Sequence, residues 1–357
     1  MKTVTIVGAR PQFIKAAPVT RLLRQVAEEV LVHTGQHYDR QMSAVFFDEL
    51  RIPEPDYNLG VGSGSHGWQT GQMLIRIEKV LVAEQPDWVL IYGDTNSTVA
   101  GALAAVKLHI PVAHVEAGLR SYNRRMPEEH NRVLTDHASD VLFCPTATAV
   151  NNLAREGIGQ GVHLVGDVMY DAVLFNADLA ERHATVLERL DLESGGYALA
   201  TLHRPRNTDD LERLQTIVAA FSEIQMPVVF PVHPRTRQRL ADAGLESNLV
   251  QSRRPRLIDP VGYLDMLALE KNASLILTDS GGVQKEAYFF AVPCLTLREE
   301  TEWVETVDSG WNLLVGADRN AIVEAARRFK PEGIPPLSFG DGHAAGEIVD
   351  ALVGYET

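Results

Sequence analysis

Cysteine is nearly absent from this chain: only Cys144 and Cys294 occur among 357 residues, each in an apolar run ("VLFCPT", "VPCLTL"). No C-x-x-C pair and no zinc-spaced cluster exists. Two buried, reduced thiols are expected, which excludes a disulfide scaffold. An excess of positive charge is also lacking. Against 33 basic side chains stand 47 acidic ones, a formal charge of −14. That balance excludes a broad nucleic-acid or anionic-membrane surface and leaves room for a local basic site for a phosphorylated small molecule. No apolar run reaches the ~20 residues a membrane helix needs. The start, "MKTVTIVGARPQ", enters a strand where a signal peptide would carry an apolar core and cleavage site. A soluble cytoplasmic protein is expected. The first strand-to-helix turn reads "GARPQ", not a dinucleotide fingerprint, and no Walker motif follows. H-E-x-x-H, D-x-D and G-x-S-x-G do not occur, and the 12 histidines are scattered. Neither a metal site, a redox cofactor nor a serine-hydrolase elbow is expected.

What the chain does have is alternation. Short β-rich runs at 3–9, 30–34, 87–93, 111–116, 140–145 and 162–166 are separated by longer segments of helical period. The pattern restarts at 197–204, 226–234, 248–252 ("NLVQS"), 274–282, 293–299 and 312–316. The strands are apolar nearly throughout, the mark of a parallel sheet covered on both faces. The expectation is two doubly wound Rossmann-like α/β domains facing a cleft: residues 1–168, then 169–342, with a last helix at 343–357 crossing back. The boundary falls near 167–195, in a charged helical stretch. Ligands in such folds bind beyond the carboxyl ends of the strands. The unusual polar clusters sit there: "GARPQFIK", "TGQHYD", "GDTNST", "HVEAGLRSYNRRMPEEHNR", "HRPRNTDD", "HPRTR" and "TDSGGVQKE".

Each cluster has a structural reading and a chemical one. Arg10 at the first turn can meet an anion at a helix N-terminus or be a surface side chain. Asp94 follows a strand and is either a helix cap or a working carboxylate. Glu116 ends an apolar strand, so it must be paired or functional, with Arg120 or Arg132 as its structural partner. Glu128 and Glu129 open a helix after Pro127, where negative charge suits the dipole; for Glu129 that role suffices. In "TDSGGVQKE", glycines permit close approach of a pyrophosphate to the helix N-terminus. Glu286, four residues after Gly282, can accept ribose hydroxyls.

These motifs, in this order and spanning nearly the whole chain, resemble the non-hydrolysing UDP-N-acetylglucosamine 2-epimerase family. The resemblance implies the glycosyltransferase-B type of fold, a homodimer and a UDP-sugar substrate. It implies inversion at C2 through elimination and re-addition of UDP, without metal or redox cofactor. Carried over by motif, Asp94, Glu116 and Glu128 match the family's catalytic carboxylates and His203 its catalytic histidine. Arg10, Lys15, Arg132, His233, Ser280, Gly281, Gly282 and Glu286 match UDP-binding positions. The resemblance does not assign base and acid among the carboxylates.

Departures mark a branch. "GQHYDRQM" stands where many members read AQHR-x-M, Gln72 stands where many place arginine, and "TEWVE" (301–305) replaces T-E-R-P-E. The first two belong to the site through which substrate activates regulated members, so such activation is not expected. The style is closer to the branch acting on UDP-2,3-diacetamido-2,3-dideoxy-glucuronate, whose carboxylate would need an extra cation. Arg124, Arg125 and Arg206 are the candidates. Both UDP-GlcNAc and this glucuronate stand as substrates. The alternatives are a glycosyltransferase of the same fold, a hydrolysing 2-epimerase, or a non-catalytic UDP-sugar sensor.

Overall fold

The computed structural model describes residues 1–35, 53–252 and 254–355, with the side chains of Arg10 and Asn248 outside that description. The apolar runs become strands, and all of their pairings are parallel. The first sheet holds β1 (Lys2–Val7), β2 (Glu28–His33), β3 (Tyr57–Asn58), β4 (Trp88–Tyr92), β5 (Val112–Val115), β6 (Val141–Cys144) and β7 (Val162–Leu164), in the order β3-β2-β1-β4-β5-β6-β7. The second holds β8 (Ala198–Thr201), β9 (Val228–Pro231), β10 (Arg256–Ile258), β11 (Leu275–Thr278), β12 (Cys294–Thr296) and β13 (Asn312–Leu314), ordered β10-β9-β8-β11-β12-β13. Central registers pair apolar residues on both sides: Ile6 lies opposite Val32 and Ile91, and Leu277 opposite Ala200 and Leu295. Both orders reverse their winding once, between β1 and β4 and between β8 and β11. Those are the topological switch points where an open α/β sheet exposes a crevice at its carboxyl edge.

Residues Met1–Leu174 with Leu337–Thr357 form one compact unit, and Phe175–Pro336 form the other. The helix Val168–His183 runs through the division. The returning helix Ala344–Gly354 packs on the helix Arg10–Val26. Asp171 accepts the backbone N–H groups of Ala344 and Ala345 at 3.3 and 2.7 Å, capping that helix. Beyond it, the ring of Tyr355 stands edge-on to Trp88 with centroids 5.1 Å apart.

"NLVQS" is a correction. It forms the end of a helix, Glu246–Ser252, and the strand of that region is the edge strand β10. Five residues cannot separate a strand from a helical turn by periodicity. The "RLI" of β10 is only partly buried and carries little apolar signal. Cys144 and Cys294 are buried free thiols, both pushed up to about 12 by burial. Among the described residues no helix is long and apolar enough to cross a membrane.

Candidate active site

At the first switch point, the segments leaving β1, β4 and β5 converge. Lys15 comes from the helix after β1, Asp94 from the turn after β4, and Glu116 directly follows β5. Lys15 Nζ pairs with Glu116 Oε2, their side chains 12% and 5% exposed. Arg132 Nη2, on the helix Pro127–Ala138, pairs with Asp94 Oδ2. Gly93 lies between the pairs with φ +62°; a Cβ there would stand 3.2 Å from Glu116 Oε2 and 3.4 Å from Lys15 Nζ. Glu116 itself has φ +70°, a left-handed backbone that costs a side-chain-bearing residue about 1–2 kcal/mol. The conformation is held because both Glu116 N and Ala117 N donate to the Phe143 carbonyl, at 3.1 and 3.0 Å. Strain of this kind persists only where surrounding structure enforces it, and it concentrates at working sites.

The structural readings sort out accordingly. Thr95, not Asp94, caps the helix Asn96–Lys107. Glu116 pairs with Lys15. Arg120 is turned to Asp136 at 2.6 Å and Glu156 at 2.7 Å. The dipole role for Glu129 is a second correction. Its buried carboxylate accepts from Ser121 N, Ser121 Oγ and Tyr122 N at 2.8–2.9 Å and lies 3.3 Å from Arg132 Nη1. It pins the loop that precedes its own helix. Behind the pairs, buried His114 bridges Asp136 Oδ1 and the Gly93 carbonyl, both at 2.7 Å. Burial pushes the Asp136 carboxyl up, but His114 and Arg120 outweigh it and hold the group below the usual range.

Glu128 occupies the first turn of the same helix, partly exposed, and makes no hydrogen bond or ion pair among the described residues. Arg124 and Arg125 are exposed and form no ion pair among the described residues. The backbone of Arg10 opens the helix after β1, but its side chain, and residues 36–39 of "TGQHYD", lie outside the described residues.

At the second switch point, His203 follows β8 and Asp279 follows β11. His203 Nδ1 lies 3.1 Å from Asp279 Oδ1, which leaves Nε2 of the half-exposed ring for a ligand. The wholly buried Asp279 also accepts the N–H groups of His203 (3.1 Å) and Arg204 (3.0 Å) and the Asn207 amide (3.1 Å). Burial raises its pKa, yet His203 and these donors bring the carboxyl below its ordinary value. Next to it, Ser280 caps the helix Gly281–Phe289 by accepting from Val283 N at 3.4 Å. A Cβ on Gly281 would stand 2.6 Å from Glu302 Oε1 and 3.3 Å from Trp303 Nε1, so a larger residue would have to displace the Glu302 carboxylate. Glu302 in turn lies 3.0 Å from Arg298 and 3.8 Å from Arg204.

Glu286 is buried on this helix and accepts from the Tyr263 hydroxyl at 3.1 Å. Trp303, one of the two residues that set "TEWVE" apart, lies buried with Lys285 Nζ 3.9 Å from its ring centroid, a desolvated cation–π contact. His233 caps the helix Pro234–Asp242, its Nδ1 accepting from Arg235 N at 3.3 Å. Arg206 is exposed and paired with Glu299 at 3.2 Å.

Sequence reasoning missed Asp279, Glu129 and the His114–Asp136 bridge. Asp279 had a usable signal, since an ionisable residue directly after the apolar "LILT" is buried and must be paired.

Two parallel α/β domains, one with cation-paired carboxylates at its switch point and the other with a histidine–aspartate pair beside a glycine-opened helix, define a two-domain α/β protein of the glycosyltransferase-B type. Residues 21–353 match the profile of the UDP-N-acetylglucosamine 2-epimerase family. The chain is 56% identical to a UDP-N-acetylglucosamine 2-epimerase homolog of Methanococcus maripaludis, with 99% of each covered. It is 52% identical to the UDP-2,3-diacetamido-2,3-dideoxy-D-glucuronate 2-epimerase of Pseudomonas aeruginosa, again over 99% of each. The crystal structure of Methanocaldococcus jannaschii UDP-GlcNAc 2-epimerase in complex with UDP-GlcNAc and UDP matches with a TM-score of 0.92 at 48% identity, covering 99% of both chains. The chain belongs to the non-hydrolysing UDP-N-acetylglucosamine 2-epimerase family, a family of isomerases.

Proposed function

We propose that this protein interconverts the C2 epimers of a UDP-2-acetamido sugar by eliminating UDP and adding it back. A base takes the C2 proton, the C1–O bond to UDP breaks, and its electron pair leaves with the UDP oxygen. A 2-acetamidoglucal results. A proton then reaches C2 from the opposite face and the UDP oxygen re-forms its bond to C1. The cycle is redox-neutral and consumes nothing.

Asp94, Glu116 and Glu128 are the groups for proton transfer. His203, through Nε2, and the N-terminus of the helix Gly281–Phe289 stabilise the charge that gathers on departing UDP. Lys15, Arg10, Arg132 and His233 contribute to UDP binding, and Glu286 accepts the ribose hydroxyls. The observation that carries the reading is Glu116, a buried carboxylate held in a left-handed turn against Lys15 at a switch point.

Two substrates compete. Exposed Arg124 and Arg125, lying between Glu116 and Glu128 in sequence, favour a sugar carrying a carboxylate, whereas Arg206 is already neutralised by Glu299. Incubation in deuterated water with UDP-GlcNAc and with UDP-2,3-diacetamido-2,3-dideoxy-glucuronate, side by side, tests both levels. Deuterium at C2 of either nucleotide sugar is the expected result, and exchange into neither defeats the epimerase reading. Stoichiometric free sugar and UDP would mean a hydrolysing enzyme. A preference beyond about 100-fold, roughly 2.7 kcal/mol of transition-state discrimination, identifies the substrate.

The functional unit is a homodimer. Trp68, Ile75 and Val82 are 49%, 48% and 57% exposed at seven-residue intervals along the helix His66–Glu84, an apolar stripe that suits a second copy. Ile75→Glu is expected to yield monomers by light scattering. A cytoplasmic location fits a nucleotide-sugar substrate.

A further inference from the structure

The turn that carries Asp94 and the strand end that carries Glu116 meet over one buried side chain. His114, on β5, is wholly excluded from solvent, so it touches no ligand. Its ring reaches in two directions. Nδ1 lies 2.7 Å from Asp136 Oδ1, and Nε2 lies 2.7 Å from the Gly93 carbonyl oxygen. A carbonyl has no proton to give, so Nε2 must carry one. Asp136 Oδ2 already receives Arg120 Nη1 at 2.6 Å and Gly118 N at 3.1 Å, the surroundings of an ionised carboxylate. Such a group only accepts, so Nδ1 must carry a proton as well. The charges balance in place: His114 and Arg120 face Asp136 and Glu156, with Arg120 Nε 2.7 Å from Glu156.

These contacts close a circuit around the two carboxylates. Gly93, which precedes Asp94, gives its N–H to the Val115 carbonyl at 3.0 Å and offers its own carbonyl to His114. Both backbone groups of Gly93 are thus fastened to β5. Asp136 takes His114 on one oxygen and Gly118 N on the other, so it holds the chain on either side of Glu116. Asp136 also belongs to the helix Pro127–Ala138, one turn beyond Arg132, which pairs with Asp94. The circuit runs from Asp94 through Arg132, Asp136 and His114 to Gly93. An imidazole ring is rigid, so the span between its two acceptors is fixed.

We propose that His114, donating from both ring nitrogens, is a positioning residue that sets the Asp94 turn against Glu116. This rests on the assignment of those carboxylates to proton transfer. The bond to Gly93 is the one that reaches the reacting groups, and Asp136 holds the ring that makes it. A displacement of about 1 Å at such a site can cost about 10²-fold in rate.

Two amides divide the ring between them. The side-chain nitrogen of Asn falls near the place of Nδ1, and that of Gln near the place of Nε2. His114→Asn therefore keeps the donor to Asp136 and loses the one to Gly93, whereas His114→Gln does the reverse. Each loses one buried hydrogen bond, so their denaturant midpoints should fall by similar amounts. Turnover should separate them. It is read as deuterium exchange at C2 of UDP-GlcNAc or UDP-2,3-diacetamido-2,3-dideoxy-glucuronate, whichever the parent exchanges. His114→Asn should be slower by about 100-fold and His114→Gln by less than about tenfold. Calorimetric titration with UDP should place both variants within about threefold of the parent, the pattern of an interaction lost only in the transition state. In the full-length parent, with nitrogen-15 in its histidine rings, the magnetic resonance spectrum under assay conditions should show a proton on each nitrogen of His114.

A single ring proton on His114 would overturn the proposal, and that spectrum needs no variant to fold. Equal turnover losses in the two variants, or UDP binding lost in step with turnover, would also overturn it. If the parent exchanges neither sugar, the epimerase reading fails and this role with it. If the parent exchanges and the two variants match, only the role of His114 falls.

Discussion

At Glu116 the backbone turns left-handed as soon as β5 ends, and the carboxylate meets Lys15. Replacing it by Gln keeps the size and much of the hydrogen bonding but removes the basic group. Turnover should fall by about 10²–10⁴, the usual contribution of a positioned acid or base, with UDP affinity largely kept. Single-turnover kinetics beside UDP titration check this, and near-normal turnover would reduce Glu116 to a structural partner of Lys15. The residue types at this edge were readable in advance, because an ionisable group after an apolar strand is anomalous wherever it occurs. Their pairings were not. Lys15 and Glu116 are 101 positions apart, and Asp94 and Arg132 are 38 apart. Periodicity carries no information across such distances, so Lys15 could not be singled out as a partner for Glu116.

The helix Pro127–Ala138 shows the same division at the scale of an element. Pro127 and two acidic residues announced its start, but only packing reveals that Glu129 reaches back to tie down Ser121 and Tyr122. Glu129→Ala leaves those two N–H groups without their acceptor and takes one carboxylate away from Arg132, which keeps Asp94. A loss of about 1–3 kcal/mol is expected, read from the denaturant midpoint, with faster hydrogen exchange confined to the loop before Pro127. A global loss without local exchange would mean that the tie is not what the carboxylate provides. Strands with continuous apolar runs were legible because both faces are covered, whereas the edge strands β3 and β10 have one neighbour each and correspondingly little signal.

For the whole molecule, the two buried aspartates with depressed pKa values among the described residues, Asp136 and Asp279, contribute to the response to acid. Each binds its proton less readily when folded than an unfolded Asp does, at about 3.9. Their stabilisation is therefore present above that value and is lost as pH falls through it toward the lower native values. Unfolding free energy should decline steeply below about pH 4. Asp279→Asn should lower the plateau and make the decline shallower; an unchanged slope would remove Asp279 from the balance. A different consequence follows from the chain path. Because Phe175–Pro336 is inserted between Leu174 and Leu337, the unit that begins first is completed last. During synthesis that unit lacks its last helix, with the Asp171 carboxylate unanswered and Trp88 without Tyr355, until every residue of the other unit has emerged and the segment Ala344–Tyr355 arrives. The N-terminal unit is thus expected to be the later of the two to complete its fold. In pulse-labelled refolding, amides of the helix Arg10–Val26 should gain full protection together with those of Ala344–Gly354, after those of β8 and β11.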